Sequence, residues 1–125
     1  MKKFINSFKY AFTGVISSFK SERNMKVHVS IMTLVIICGI LLKIEVWEWI
    51  TCLICFGIVI SAELFNTAIE TIVDMVCPNK DNIAKKAKDI SAGAVLMNAI
   101  MSLIIGILIF LPKIINLIKW ECFYE

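Results

Sequence analysis

Charge is scarce in this chain. Asp, Glu, Lys and Arg make up 18% of its 125 residues, against 59% hydrophobic residues and a mean hydropathy of +0.84, which excludes an ordinary water-soluble domain of this size. Glycine is sparse as well: the five, at 14, 39, 57, 93 and 106, are too scattered to build a glycine-rich loop that cradles phosphate. The cysteines form no framework. Cys52 and Cys55 make a C-x-x-C inside an apolar helix with no second pair beside it, and Cys38, Cys77 and Cys122 are dispersed, so neither a zinc site nor a disulfide scaffold is expected. A net charge of +3 is too mild for a nucleic-acid binder and suits a basic membrane-facing edge. There is no internal repeat, low-complexity tract or interdomain linker. No continuous apolar run follows Lys2 and Lys3 and no small-residue cleavage site is evident, so a signal peptide is not expected.

What is present is apolar length. Ile90 to Leu111 is 22 residues without a charge, opened by Asp89 and closed by Pro112 and Lys113, and spans a bilayer unaided. Val29 to Leu42, 14 residues, reaches spanning length if Lys26 and Lys43 snorkel. A third span starts at Trp47 and Trp49, a pair typical of an interfacial belt, and runs helically to Cys77, with Pro78 as its stop. No Gly or Pro interrupts residues 58–77. Ahead of these, Phe4, Ile5, Phe8, Phe12, Val15, Ile16 and Phe19 recur at spacings of three and four, while Lys2, Lys3, Lys9 and Lys20 take other positions. That pattern predicts an amphipathic helix on the membrane surface. The fold class is therefore all-α integral membrane: a surface helix over residues 1–22, three transmembrane helices within 23–112 and a short extracytoplasmic tail over 113–125. Six Lys and Arg precede the first span and four lie in the 77–89 loop, against one in the 43–48 turn and two in the tail. The positive-inside rule then places the N-terminus and the 77–89 loop in the cytosol and the C-terminus outside.

The informative stretch is Glu63-Leu-Phe-Asn66-Thr-Ala-Ile-Glu70-Thr-Ile-Val-Asp74. At roughly 100° per residue its four polar members share an arc of about 80°. Carboxylates near the bilayer centre cost about 2.5 to 3.5 kcal/mol each, so three on one helix need partners, water or metal. Helix–helix adhesion is the bland alternative. With Trp49 at the outer interface and about 1.5 Å per residue, Glu63 lies about 21 Å in and Glu70 about 31 Å in, near the inner edge of a core roughly 30 Å thick. Such a gradient suits chemistry between a membrane-embedded hydroxyl and a charged reagent from water, with a buried carboxylate as general base and outer carboxylates holding a hard cation. Glu22, at the same edge, could complete a two-carboxylate Mg²⁺ site whose other ligands are phosphate oxygens and water. Lys88 and Asp89, the last charges before the third span, stand where a cation could neutralise phosphate.

These residues resemble the prokaryotic diacylglycerol kinase and undecaprenol kinase family over about residues 3–112. The likeness rests on Tyr10-Ala-Phe-Thr-Gly14, Ser21-Glu-Arg-Asn-Met-Lys-Val-His28, the stripe with its E-x-x-N-[ST]-A-x-E-x-x-V-D pattern, and Ala87-Lys-Asp-Ile-Ser-Ala-Gly-Ala-Val95. The resemblance implies a homotrimer with sites shared between neighbours. It implies Glu63 as the base that deprotonates the lipid hydroxyl, Asn66 as its orienting partner, and Glu22 with Glu70 as holders of the Mg²⁺ that bridges ATP phosphates. Lys88 and Asp89 would contact the nucleotide, supported by Tyr10, Asp74, Asn79, Lys80 and Asp81. Lys3 stands where some relatives have Arg. The run from Asn24 to His28 is similar to the Gram-positive branch, which favours undecaprenol over diacylglycerol; His28 itself reads as a membrane-edge residue.

The expected reaction is direct in-line transfer of the ATP γ-phosphoryl to a lipid alcohol in a bacterial cell membrane, with no phosphoenzyme. An oligomeric channel or proton-coupled carrier is the alternative from another class. It requires a polar path to the outer leaflet, yet Ile50 to Ala62 offers only Thr51, Ser61 and two thiols. Asn98 and Ser102 share a face with Ser91, and hydrogen bonding between helices accounts for them.

Overall fold

The computed structural model describes residues 1–79 and 81–124, with side chains described as far as Lys119. Four helices follow one another, α1 Lys2–Ser21, α2 Arg23–Leu41, α3 Val46–Val76 and α4 Asn82–Tyr124, and no strand occurs among the described residues. Helices α2, α3 and α4 are each long and apolar enough to cross a membrane. Their surfaces agree: most large aliphatic side chains on them face outward, and very few hydrophobic residues are buried. Exposure on that scale is stable only where the surroundings are themselves apolar.

Helix α1 carries its expected apolar residues, Phe4, Ile5, Phe8, Phe12, Val15, Ile16 and Phe19, all exposed. Ser18 is its one buried residue. The helix ends at Glu22, whose backbone is extended and whose N–H donates to the Ser18 carbonyl at 2.9 Å. Because α2 begins at once with Arg23, the extended residue is the whole joint between the two helices.

The α2–α3 turn closes with a Schellman pattern: Ile44 N–H donates to Gly39 O at 3.1 Å and Lys43 N–H to Ile40 O at 3.3 Å. Lys43 occupies the left-handed position, with φ 50°, where glycine is the usual residue. The expected tryptophan belt divides here. Trp47 is exposed and donates from Nε1 to Glu45 at 2.7 Å, whereas Trp49 turns inward onto α2. It lies so close that a Cβ on Gly39 would stand 2.8 Å from its ring. Ile44, Cys52 and Ile109 are buried together beside it, flanked by Phe56 and Phe110.

Helices α3 and α4 form the principal packed pair, and α1 touches α2 and α3 lightly. As expected, α3 stops just short of Pro78, since the residue before proline is disfavoured in a helical conformation. Pro112 behaves otherwise. It was expected to close the third span, but α4 runs through it to Tyr124, making residues 113–124 a helical continuation. Proline removes one backbone donor and crowds the carbonyl four residues back. The next residue is secured independently: Lys113 Nζ lies 2.9 Å from Glu48 Oε2, tying the extension to α3.

Candidate active site

The stripe on α3 is graded by depth. Glu63 is 1% exposed and Asn66 5%, Glu70 is half-buried and Asp74 is exposed. Glu63 and Met25 are the largest fully buried side chains. Glu63 Oε2 is buried without a hydrogen-bond partner among the described residues, and a bare carboxylate oxygen in such a place is rare in a purely structural setting. The titratable side chains near enough to act on Glu63 are His28 from α2, Glu22 from the α1–α2 joint and Glu70, two helical turns further along α3. Three separated stretches of sequence thus converge on one carboxylate.

Asn66 links this centre to Glu70 and to α4. Its Nδ2 donates to Glu70 Oε1 at 3.1 Å, and its Oδ1 accepts from Ser91 Oγ at 2.7 Å. Ser91 also lies 2.9 Å from the Lys88 carbonyl. On the other flank, Thr67 Oγ1 donates to Glu63 O at 3.0 Å and meets Ser18 Oγ of α1 at 3.2 Å. None of the three hydroxyls stood out as a site residue in the sequence. Ser91 was visible as a polar member of the α4 face and within the Ala87–Val95 segment, and Thr67 as the [ST] position of the stripe pattern, neither with a role.

Beyond Asp74 the helix ends and a cleft of about 570 Å³ opens between the end of α3 and the start of α4. It is lined by Asp74, Asn79, Asp81, Lys85, Lys88 and Asp89, among others, bringing five of the expected nucleotide contacts together. Lys88 Nζ donates to both Asp74 carboxylate oxygens, at 2.9 and 3.0 Å. Asp81 has a local task, since its Oδ1 accepts the Ile83 and Ala84 N–H groups at 2.8 and 2.9 Å and caps α4. Lys80 lies outside the described residues. Tyr10 is exposed on α1 and does not line the cleft.

No group of three His, Cys, Asp or Glu side chains among the described residues is placed to hold a metal ion alone. Glu22 and Glu70 are hard oxygen donors, and two carboxylates are a set that fits Mg²⁺ when phosphate and water complete the octahedron. From His28 an apolar groove of about 580 Å³ runs along α2, α3 and α4 past Met32, Phe56, Gly106 and Phe110. Along α3 the order is therefore an apolar groove as far as Val59, the buried Glu63 and Asn66, and a charged cleft from Val73.

The family model of prokaryotic diacylglycerol kinase matches residues 9–110. An undecaprenol kinase of Bacillus subtilis is 41% identical over 114 residues, covering 91% of this chain and 93% of the relative. A diacylglycerol kinase of Synechocystis sp. is 38% identical over 112 residues, covering 89% of this chain and 64% of the relative. A diacylglycerol kinase of Haemophilus influenzae is 31% identical over 94 residues, covering 73% and 77%.

Proposed function

The chain belongs to the prokaryotic diacylglycerol kinase family, and from that premise we propose that it is an undecaprenol kinase, passing the γ-phosphoryl of ATP to the prenol hydroxyl. The observation that carries the mechanism is Glu63: buried, with one oxygen unpartnered, between an apolar groove and a charged cleft. A lipid hydroxyl beside that oxygen gives up its proton to it as the hydroxyl oxygen attacks the γ-phosphorus and the bond from that phosphorus to the bridging oxygen breaks, ADP leaving. Asn66 holds Glu70 in place, and Lys88 supplies a positive charge at the phosphate end. Glu22 and Glu70 would hold Mg²⁺, which neutralises charge on the ATP phosphates when bound. Positioning and charge neutralisation provide the acceleration, in keeping with a loose phosphoryl-transfer transition state.

The choice of undecaprenol over diacylglycerol rests on the likeness to the Bacillus subtilis enzyme across nearly the whole of both chains and on the run from Asn24 to His28. The amphipathic α1 lies along the cytosolic surface, with residues 23–112 as the membrane-spanning kinase domain. The N-terminus and the 77–89 loop face the cytosol of a bacterial cell, with the C-terminus outside. The active form is a homotrimer in which neighbours shield the stripe, because one copy has little interior in which to do so.

The test is transfer of labelled γ-phosphate from Mg·ATP to undecaprenol and, separately, to diacylglycerol by purified protein in lipid. Undecaprenol should be the better acceptor, and Glu63→Gln should abolish transfer to both. Full activity in Glu63→Gln would sink the mechanism. Equal use of the two lipids would remove the substrate preference alone.

A further inference from the structure

The site contains one hydrogen-bond chain whose direction can be deduced. Glu70 as a carboxylate has only acceptors, so the Asn66 group 3.1 Å from it must be the amide nitrogen. The amide oxygen then faces Ser91, and the Ser91 hydroxyl, 2.7 Å away, must be the donor. Its alternative acceptor, the Lys88 carbonyl at 2.9 Å, already has the helical N–H four residues on as a partner. Asn66 Oδ1 has no such substitute, and Ser91 is itself buried. The proton of Ser91 therefore holds, from α4, the Asn66 orientation that Glu70 requires.

We propose that Ser91 is a positioning residue for the Mg·ATP edge of the site: it fixes the Asn66 amide, and Asn66 in turn aims the Glu70 carboxylate. This rests on the reading of Glu70 as a metal holder given above. Without the hydroxyl, the amide oxygen loses its donor from α4, and the side chain that partners Glu70 is no longer held from both sides, so the carboxylate loses its fixed aim. The two residues lie 25 apart in sequence, one on each helix of the principal packed pair. Docking of α4 against α3 is thereby converted into the orientation of a single carboxylate.

The experiment measures Mn²⁺ binding, by electron paramagnetic resonance, to the full chain in lipid with a non-hydrolysable ATP analogue. Ser91→Ala, a substitution that favours helix, should weaken Mn²⁺ affinity about tenfold, as loss of a group orienting a metal-holding residue typically does. Ser91→Thr should restore it, because the hydroxyl returns. In an Asn66→Ala background Ser91→Ala should add less than about a twofold loss, because the relay is already cut. Losses that multiply, or equal weakness of the Thr and Ala variants, overturn the inference. Wild-type affinity in Ser91→Ala beside lost affinity in Glu70→Gln overturns it alone. Wild-type affinity in both overturns the metal assignment with it.

Discussion

Ser18 of the first helix is hydrogen-bonded to Thr67 of the third. Their hydroxyl oxygens are 3.2 Å apart, and Thr67 Oγ1 also lies 3.0 Å from the Glu63 carbonyl. Helix α1 is thus hydrogen-bonded, through one intermediate side chain, to the backbone of the proposed base. Thr67→Val keeps the shape and removes both bonds. It should cost about 1 kcal/mol in denaturant unfolding, the net value of a typical internal hydrogen bond, and Ser18→Ala a similar amount. The double variant should cost scarcely more than Thr67→Val, because the bond between the two residues is lost only once.

A second prediction concerns the opposite end of the bundle. Glu48 Oε2 accepts from Lys113 Nζ at 2.9 Å and from the Glu45 N–H at 2.6 Å, and its side chain is 7% exposed against 23% for Lys113. Lys113→Met leaves a nearly buried carboxylate with half its partners and should destabilise by about 1 to 2 kcal/mol, less than for a fully buried pair. Glu48→Gln added to it should recover part of that loss. A double variant weaker than Lys113→Met would contradict the assignment.

Lys43 offers a change in the other direction. Its φ of 50° costs a side-chain-bearing residue roughly 1 to 2 kcal/mol, and glycine relieves that while adding freedom to the unfolded chain. Lys43→Gly should raise stability by about 0.5 to 1 kcal/mol with activity unchanged. A fall in the unfolding midpoint would refute it.

The cleft gives a kinetic prediction. Lys88 is held by Asp74 in this structure, so an incoming phosphate competes with that carboxylate for it. Lys88→Met should raise KM for ATP about tenfold, the loss of one charge-assisted hydrogen bond, with KM for the lipid unaltered. Asp74→Asn should have a smaller effect, since it frees the lysine as it removes a polar wall. Equal changes in both lipid and nucleotide KM after Lys88→Met would argue against a nucleotide contact.

Much of this was legible in the sequence because it is periodic or long. The helices follow from uncharged runs and from aromatic residues at spacings of three and four. The gradient from Glu63 to Asp74 follows from a repeat close to the helical one. What could not be read depends on contacts between distant positions. Ser91 meets Asn66 across 25 residues and Ser18 meets Thr67 across 49, and one hydroxyl leaves no periodic trace. Asp81 was named only through the resemblance, and its capping of α4 could not be read because an acid in a loop suits a helix cap and a ligand contact alike. Pro112 looked like a terminator because its usual effect is local, while what secures the following turn, Glu48, lies 64 positions back from Pro112.

The length of α4 has a mechanical meaning. At about 1.5 Å per residue, its 43 residues make a rod of about 65 Å, roughly twice the hydrocarbon thickness of a bilayer. Ser91 is clamped to α3 near one end and Lys113 near the other, about 33 Å apart by the same rise. A thinner or thicker bilayer cannot be met by sliding α4 past α3 without breaking one clamp or the other. The pair must tilt as a unit, and that tilt raises or lowers the carboxylates relative to the lipid headgroups. Bilayer thickness then sets the depth at which the Glu63 carboxylate lies.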